Sequence, residues 1–184
     1  MTQIASRGQL RMSFLRSALV TVPAVLLLGT LSAVLADSGY GNSWFAALAK
    51  PDFMPPAWAF PVAWTILYVC LGFALAMILH ARGARRRRAA LGVFLLQLAL
   101  NYAWSPIFFG FHLVWPAFAI ICAIIALTLV AAMLFLRIRK GAALLLLPYL
   151  AWLCFAAALN YRIARLNPGG GRVAPAPSSA DIPL

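Results

Sequence analysis

Residues 50–68 read Lys-Pro-Asp-Phe-Met-Pro-Pro-Ala-Trp-Ala-Phe-Pro-Val-Ala-Trp-Thr-Ile-Leu-Tyr, a proline-and-aromatic stretch that runs straight into a long apolar segment. Pro51, Pro55 and Pro56 lack an N–H and fix φ, so the first half holds an extended or turned backbone, not a helix. Trp58 and Trp64 suit the boundary between water and lipid, where an apolar ring and one N–H donor are both accommodated. The stretch is therefore expected to form a structured lid over the mouth of a membrane helix bundle.

The rest of the chain fits that reading. At 184 residues it is one domain by length. Hydrophobic residues make up 65% of it, and its only acids are Asp37, Asp52 and Asp181, too little charge to cover a soluble surface. The formal charge of +12 would suit nucleic acid if it were spread along one face. Instead the basic residues cluster between apolar runs: Arg7, Arg11 and Arg16, then Arg82 and Arg85 to Arg88, then Arg137, Arg139 and Lys140. That distribution suits a membrane face held to anionic headgroups and argues against nucleic acid as a partner. Cys70, Cys122 and Cys154 each lie inside an apolar run with no C-x-x-C pairing, and read as small core residues, not as a disulfide or metal framework.

Five runs are long enough, at about 20 residues, to cross a bilayer: residues 14–36, 58–80, 89–109, 112–136 and 142–162. The fold class expected is an all-α, five-helix transmembrane bundle with a proline-rich first loop, occupying residues 1–166. Residues 167–184, rich in Gly, Pro, Ala and Ser, read as a disordered tail. The first run, with Arg11 and Arg16 before it and Val34-Leu35-Ala36 at its end, has the outline of a signal peptide. Its apolar stretch is longer than a usual signal core, so retention as a span is expected. Charge asymmetry places the N-terminus in the cytoplasm and the proline-rich loop outside, periplasmic in a bacterial inner membrane.

Three stripes run through the spans. Gln97, Asn101, Trp104 and Phe108 fall within an arc of about 60° on the third span, and Tyr149, Trp152, Ala156 and Asn160 within about 80° on the fifth. Phe60, Trp64, Tyr68 and Leu71 stack on the second. Amides at membrane depth are costly unless they pair or face a cavity. Such stripes serve as interhelical packing in many bundles, but three of them beneath a rigid loop point to a pocket for a large, flat, mostly apolar molecule. No Asp or Glu lies in a span, which removes the carboxylate proton relay of many coupled transporters. Neither a phosphate-binding loop nor a nucleotide fingerprint is present. His80 closes the second span and His112 opens the fourth, placing them at opposite faces, about 30 Å apart, where they cannot share a metal or a haem iron.

These residues resemble the TspO/MBR family of tryptophan-rich sensory and translocator proteins, relatives of the peripheral-type benzodiazepine receptor. The resemblance is carried by Trp44, Lys50-Pro51, Pro55-Pro56-x-Trp58, Phe60-Pro61-x-x-Trp64-x-x-Leu67-Tyr68, Gln97-Leu98-x-Leu100-Asn101-x-x-Trp104-x-Pro106, Pro148-Tyr149-x-x-Trp152 and Leu159-Asn160. It implies a five-helix bundle, often a homodimer, that binds porphyrins and other tetrapyrroles, and in animal members cholesterol and synthetic drugs. It implies no obligatory cofactor, with porphyrin or haem as the ligand. The ligand-binding residues it suggests, together with the stripes, are Trp44, Trp58, Trp64, Tyr68, Gln97, Asn101, Trp104, Tyr149, Trp152, Ala156 and Asn160. Asp52 and Phe53 stand where several bacterial relatives carry tryptophans, which weakens any photochemistry that relies on those indoles. Three functions stay open at this point: a tetrapyrrole-binding sensor or regulator of tetrapyrrole metabolism and stress responses, a translocator of porphyrin-like molecules, and a tryptophan-dependent enzyme that degrades porphyrins oxidatively. In each, the lid is expected to control ligand residence, since its prolines reduce the entropy lost on ordering.

Overall fold

The computed structural model describes residues 7–169, with side chains from Met12 onward. The tail expected to be disordered lies outside the described residues from position 170. Seven α-helices follow one another: α1 (Arg7–Leu35), α2 (Ser43–Ala47), α3 (Ala59–His80), α4 (Arg87–Ser105), α5 (Val114–Leu136), α6 (Lys140–Leu144) and α7 (Leu147–Leu166). A π-helical turn, Pro106–Gly110, extends α4. Among the described residues there is no strand, and five spans are long and apolar enough to cross a membrane, α6 and α7 together making the fifth. The sequence reading of five crossing helices therefore holds.

Pro148 explains why the fifth span is broken. It sits in the first turn of α7, where its missing N–H is no loss to that helix but cannot continue the ladder from α6. Pro23 lies inside α1 and removes one bond from that ladder. Around the bundle, α1 packs on α3 and α4, α4 on α5, and α5 on α7. The α1–α3 pair is the closest: a Cβ added to Gly72 would lie 2.6 Å from the Val22 backbone. Thr21 Oγ1 donates across the same crossing to the Gly72 carbonyl at 2.9 Å. Side chains are buried from Val25 in α1 through Leu71, Phe94, Ile124 and Leu153, one continuous core.

The first loop is built as expected at its prolines, which hold non-helical backbone. It also contains α2, which the sequence reading did not foresee. Asn42 caps α2 by accepting from Phe45 N at 2.9 Å. Trp44 and Phe45 are buried against Phe108 and Phe109 of the π turn in a second, smaller core. Lys50 Nζ then donates to the carbonyls of Phe45, Ala46 and Leu48 at 2.7, 3.0 and 3.1 Å. Partial burial lowers its pKa from the ordinary lysine value. Asn167, just past α7, holds Ala49 by a reciprocal pair, accepting from its N–H at 3.0 Å and donating to its carbonyl at 2.9 Å.

The cysteines differ from expectation. Cys122 and Cys154 are exposed on the outer wall of the bundle and Cys70 is half-buried, so they are not core residues; all three thiols are free. In a near-continuous apolar helix the hydropathy is the same all round, so the sequence gives no cue to which face points outward. His80 and His112 do sit at opposite ends of the bundle. His80 lies beside Ser13 and Phe14 at the start of α1. His112 stacks on Trp44 beyond its end, with ring centroids 4.3 Å apart.

Candidate ligand cavity

Beneath the first loop lies a cavity of about 580 Å³, walled by α1, α3, α4, α5 and α7. That volume is in the range of sites for small organic ligands. Its wall is aromatic and aliphatic, with a few hydroxyls and amides. Among the described residues no Asp, Glu, Lys, Arg or His lines it.

Helical spacing brings the side chains together. Trp64 and Tyr68 lie one turn apart on α3, with ring centroids 5.1 Å apart. Tyr68 OH donates to Asn101 Oδ1 of α4 at 2.9 Å, so the amide is paired although buried. A turn further on, Trp104 stacks on Phe108 at 5.0 Å and points its Nε1 at Asn160 Oδ1, 3.4 Å away. Asn160 in turn donates to the Val114 carbonyl at 3.1 Å, tying α7 to α5. Trp152 lies edge-on to Trp64 and to Phe60, at 6.3 and 6.0 Å. Its Nε1 is buried and has no partner. A buried donor without an acceptor is uncommon and costs about 1–3 kcal/mol. The indole that carries it lines the cavity, so a small turn of the ring would bring this donor to a ligand's acceptor.

Seven of the eleven residues read from the sequence line this cavity: Trp64, Tyr68, Asn101, Trp104, Trp152, Ala156 and Asn160. Four do not. Gln97 and Tyr149 are fully buried one layer deeper, where Gln97 Oε1 accepts from Tyr149 OH at 3.0 Å and from Thr128 Oγ1 at 3.4 Å. They share a stripe with the cavity residues but serve as interhelical pairing. Trp44 is buried between Phe108 and His112, outside the wall. Trp58, 67% exposed, points outward at the start of α3, as an interfacial anchor does.

Sequence reasoning missed the contribution of α1 and of the loop that follows it. Gly29, Thr30 and Ala33 form one wall, and Ser38 to Gly41 part of the rim. The signal available was the glycine: a Cβ at Gly29 would run into the Tyr68 ring, so only glycine lets that phenol reach Asn101. Ile121 and Ile124 of α5 complete the wall, and nothing in a uniformly apolar span marks them.

The site can therefore hold a flat apolar molecule against indole and phenol rings, and orient it through few donors. Among the described residues its lining carries no carboxylate, imidazole, amine or thiol; its titratable groups are the phenols of Tyr40 and Tyr68. The "Tryptophan-rich protein TspO" of Chlorobaculum tepidum is 40% identical over 129 residues, 68% of this chain and 81% of that protein. The "Translocator protein" of Ovis aries is 40% identical over 133 residues, 71% of this chain and 79% of that protein. "Protein CrtK" of Rhodobacter capsulatus is 33% identical over 130 residues, covering 70% and 81%. Residues 20–166 match the TspO/MBR family, and the chain belongs to that family of integral membrane sensor and translocator proteins.

Proposed function

We propose that the protein is a membrane receptor for a tetrapyrrole, porphyrin or haem, that acts as a sensor or regulator of tetrapyrrole metabolism and stress responses. The observation that carries this reading is the uncharged, ring-lined cavity of about 580 Å³ with an unpartnered Trp152 Nε1 in its wall. Indole and phenol faces suit a wide conjugated ring, which gains from offset or edge-on aromatic packing. Because no cation lines the cavity, the macrocycle lies inside while its ionised carboxylates stay at the mouth, near water. A wall whose described residues carry no charged group favours binding over turnover.

Titration of the purified protein with protoporphyrin IX, followed by tryptophan quenching, tests the reading. Saturable binding at one site is expected. Trp152→Phe keeps most of the bulk but loses the N–H, and is expected to weaken binding about 3- to 10-fold, the worth of one hydrogen bond. Leu129→Ala, on the outer face of α5, is expected to leave it unchanged. Absence of saturable binding, or equal losses in both variants, would overturn the proposal.

A further inference from the structure

We propose that the cavity opens sideways into the bilayer, between α3 and α7, with the Trp152 indole as the gate for a ligand dissolved in the membrane. This rests on the cavity being a ligand site, as proposed above. It moves control of residence from the lid, where the prolines suggest it, to a seam in the bundle.

The lid end is fastened. Lys50 clamps three carbonyls, Asn167 holds Ala49 from α7, and Tyr40 OH donates to the Pro55 carbonyl at 2.6 Å. Opening there would break these bonds and expose the buried Trp44 and Phe45.

The side of the bundle is different. Among the described residues no hydrogen bond crosses from α3 to α7, whereas α1–α3, α1–α4, α3–α4, α4–α7 and α5–α7 are each bridged. The α3 and α7 backbones hardly approach each other, the fifth span packing on α3 through α6 at the opposite end of the bundle from the lid. Across the seam the ring contacts are Phe60 and Trp64 of α3 against Trp152 of α7, edge-on at 6.0 and 6.3 Å, with Trp64 against Tyr149 at 6.4 Å one turn deeper.

Outside those rings the seam continues as a shallow apolar groove of about 420 Å³, with the small residues Ala63 on α3 and Ala151 on α7 among its lining. Trp152 is the one residue that lines both this groove and the cavity. Its Nε1 has no hydrogen bond to lose, so turning the indole breaks only aromatic packing, about 0.5–1.5 kcal/mol per pair. The ligand class that can use this path is one whose apolar edge enters first from the hydrocarbon, with any carboxylates trailing toward the headgroups.

Stopped-flow quenching with protoporphyrin IX on the full chain in lipid nanodiscs tests the route. Ala151→Phe fills the groove from its exposed, lipid-facing position. It is expected to slow association and dissociation together, by about tenfold, with the equilibrium constant little changed, because a gate acts on both rates alike. Asn167→Ala releases the lid and is expected to leave both rates as they are. Unchanged rates in Ala151→Phe, or faster exchange in Asn167→Ala, would overturn the seam as the route. A second readout does not depend on porphyrin: bilayers of brominated acyl chains are expected to quench Trp152, seen as the difference between wild type and Trp152→Phe. If porphyrin fails to bind, the functional reading falls, while the quenching still decides whether Trp152 meets lipid. No Trp152-dependent quenching would sink the gate.

Discussion

Tyr68 shows how one side chain serves both packing and cavity. Its ring fills the space left by Gly29 of α1, and its hydroxyl satisfies a buried amide on α4. Two substitutions separate the roles. Tyr68→Phe loses one hydrogen bond between neutral groups and is expected to lower stability by about 0.5–1.5 kcal/mol. Gly29→Val forces branched carbons into the ring and is expected to cost about 1–3 kcal/mol or more, by overpacking. Thermal unfolding in detergent, followed by circular dichroism, measures both; a larger loss in Tyr68→Phe would contradict the geometry. At this scale the sequence was most legible where polar residues break an apolar span. Asn101, Trp104, Trp152 and Asn160 stood out by type and spacing, and all four line the cavity. Gln97 and Tyr149 have the same spacing but lie deeper, because periodicity fixes a helix face and not how far along it a neighbour closes. Gly29 was visible only as a glycine inside an apolar span, because its role is set by a phenol nearly forty residues away.

Elements show the same division. The spans follow from apolar length alone, since a bilayer leaves a helix few alternatives. The short α2 does not, because five residues cannot sustain a helix without tertiary support. That support is the Asn42 cap, the Lys50 clamp and the burial of Trp44 and Phe45. Lys50→Met removes the ammonium that bridges three carbonyls, of which that of Phe45 still accepts from Leu48 N, and is expected to destabilise the lid by about 1–3 kcal/mol. Hydrogen exchange is expected to rise across residues 43–50 and to stay unchanged in α4 and α5. Uniform exchange throughout would mean that the clamp holds nothing locally. The α1–α3 crossing offers a sharper contrast. Gly72→Ala meets the Val22 backbone and is expected to destabilise, whereas Gly92→Ala, in open space on α4, is expected to be neutral or stabilising by up to about 1 kcal/mol. Equal melting temperatures for the two variants would show that the crossing is looser than its geometry.

Charge decides the question that belongs to the molecule as a whole, which way it sits in the membrane. One end of the bundle carries Arg82, Arg85, Arg86, Arg88, Arg137, Arg139 and Lys140, with no described acid beside them. Arg87 at that end is engaged, donating to the Ile78 and Leu79 carbonyls at 3.0 and 2.8 Å and capping α3. The other end carries the clamped Lys50, with Arg162 and Arg165, against Asp37 and Asp52. Basic residues close to the ends of spans are retained on the cytoplasmic side, so the arginine end is expected to face the cytoplasm and the lid the opposite compartment. Labelling with a membrane-impermeant thiol reagent measures this in intact cells. The three native cysteines are first replaced, since two of them are exposed on the outer wall. A single cysteine at Ala84, in the arginine loop, is then expected to react only after the cells are opened, and one at Asp52 to react in intact cells. The opposite pattern would put the lid in the cytoplasm and overturn the charge argument. Reaction of both in intact cells would mean that the chain inserts in two orientations, and that the arginines beyond α3 do not outweigh those at the end of α7.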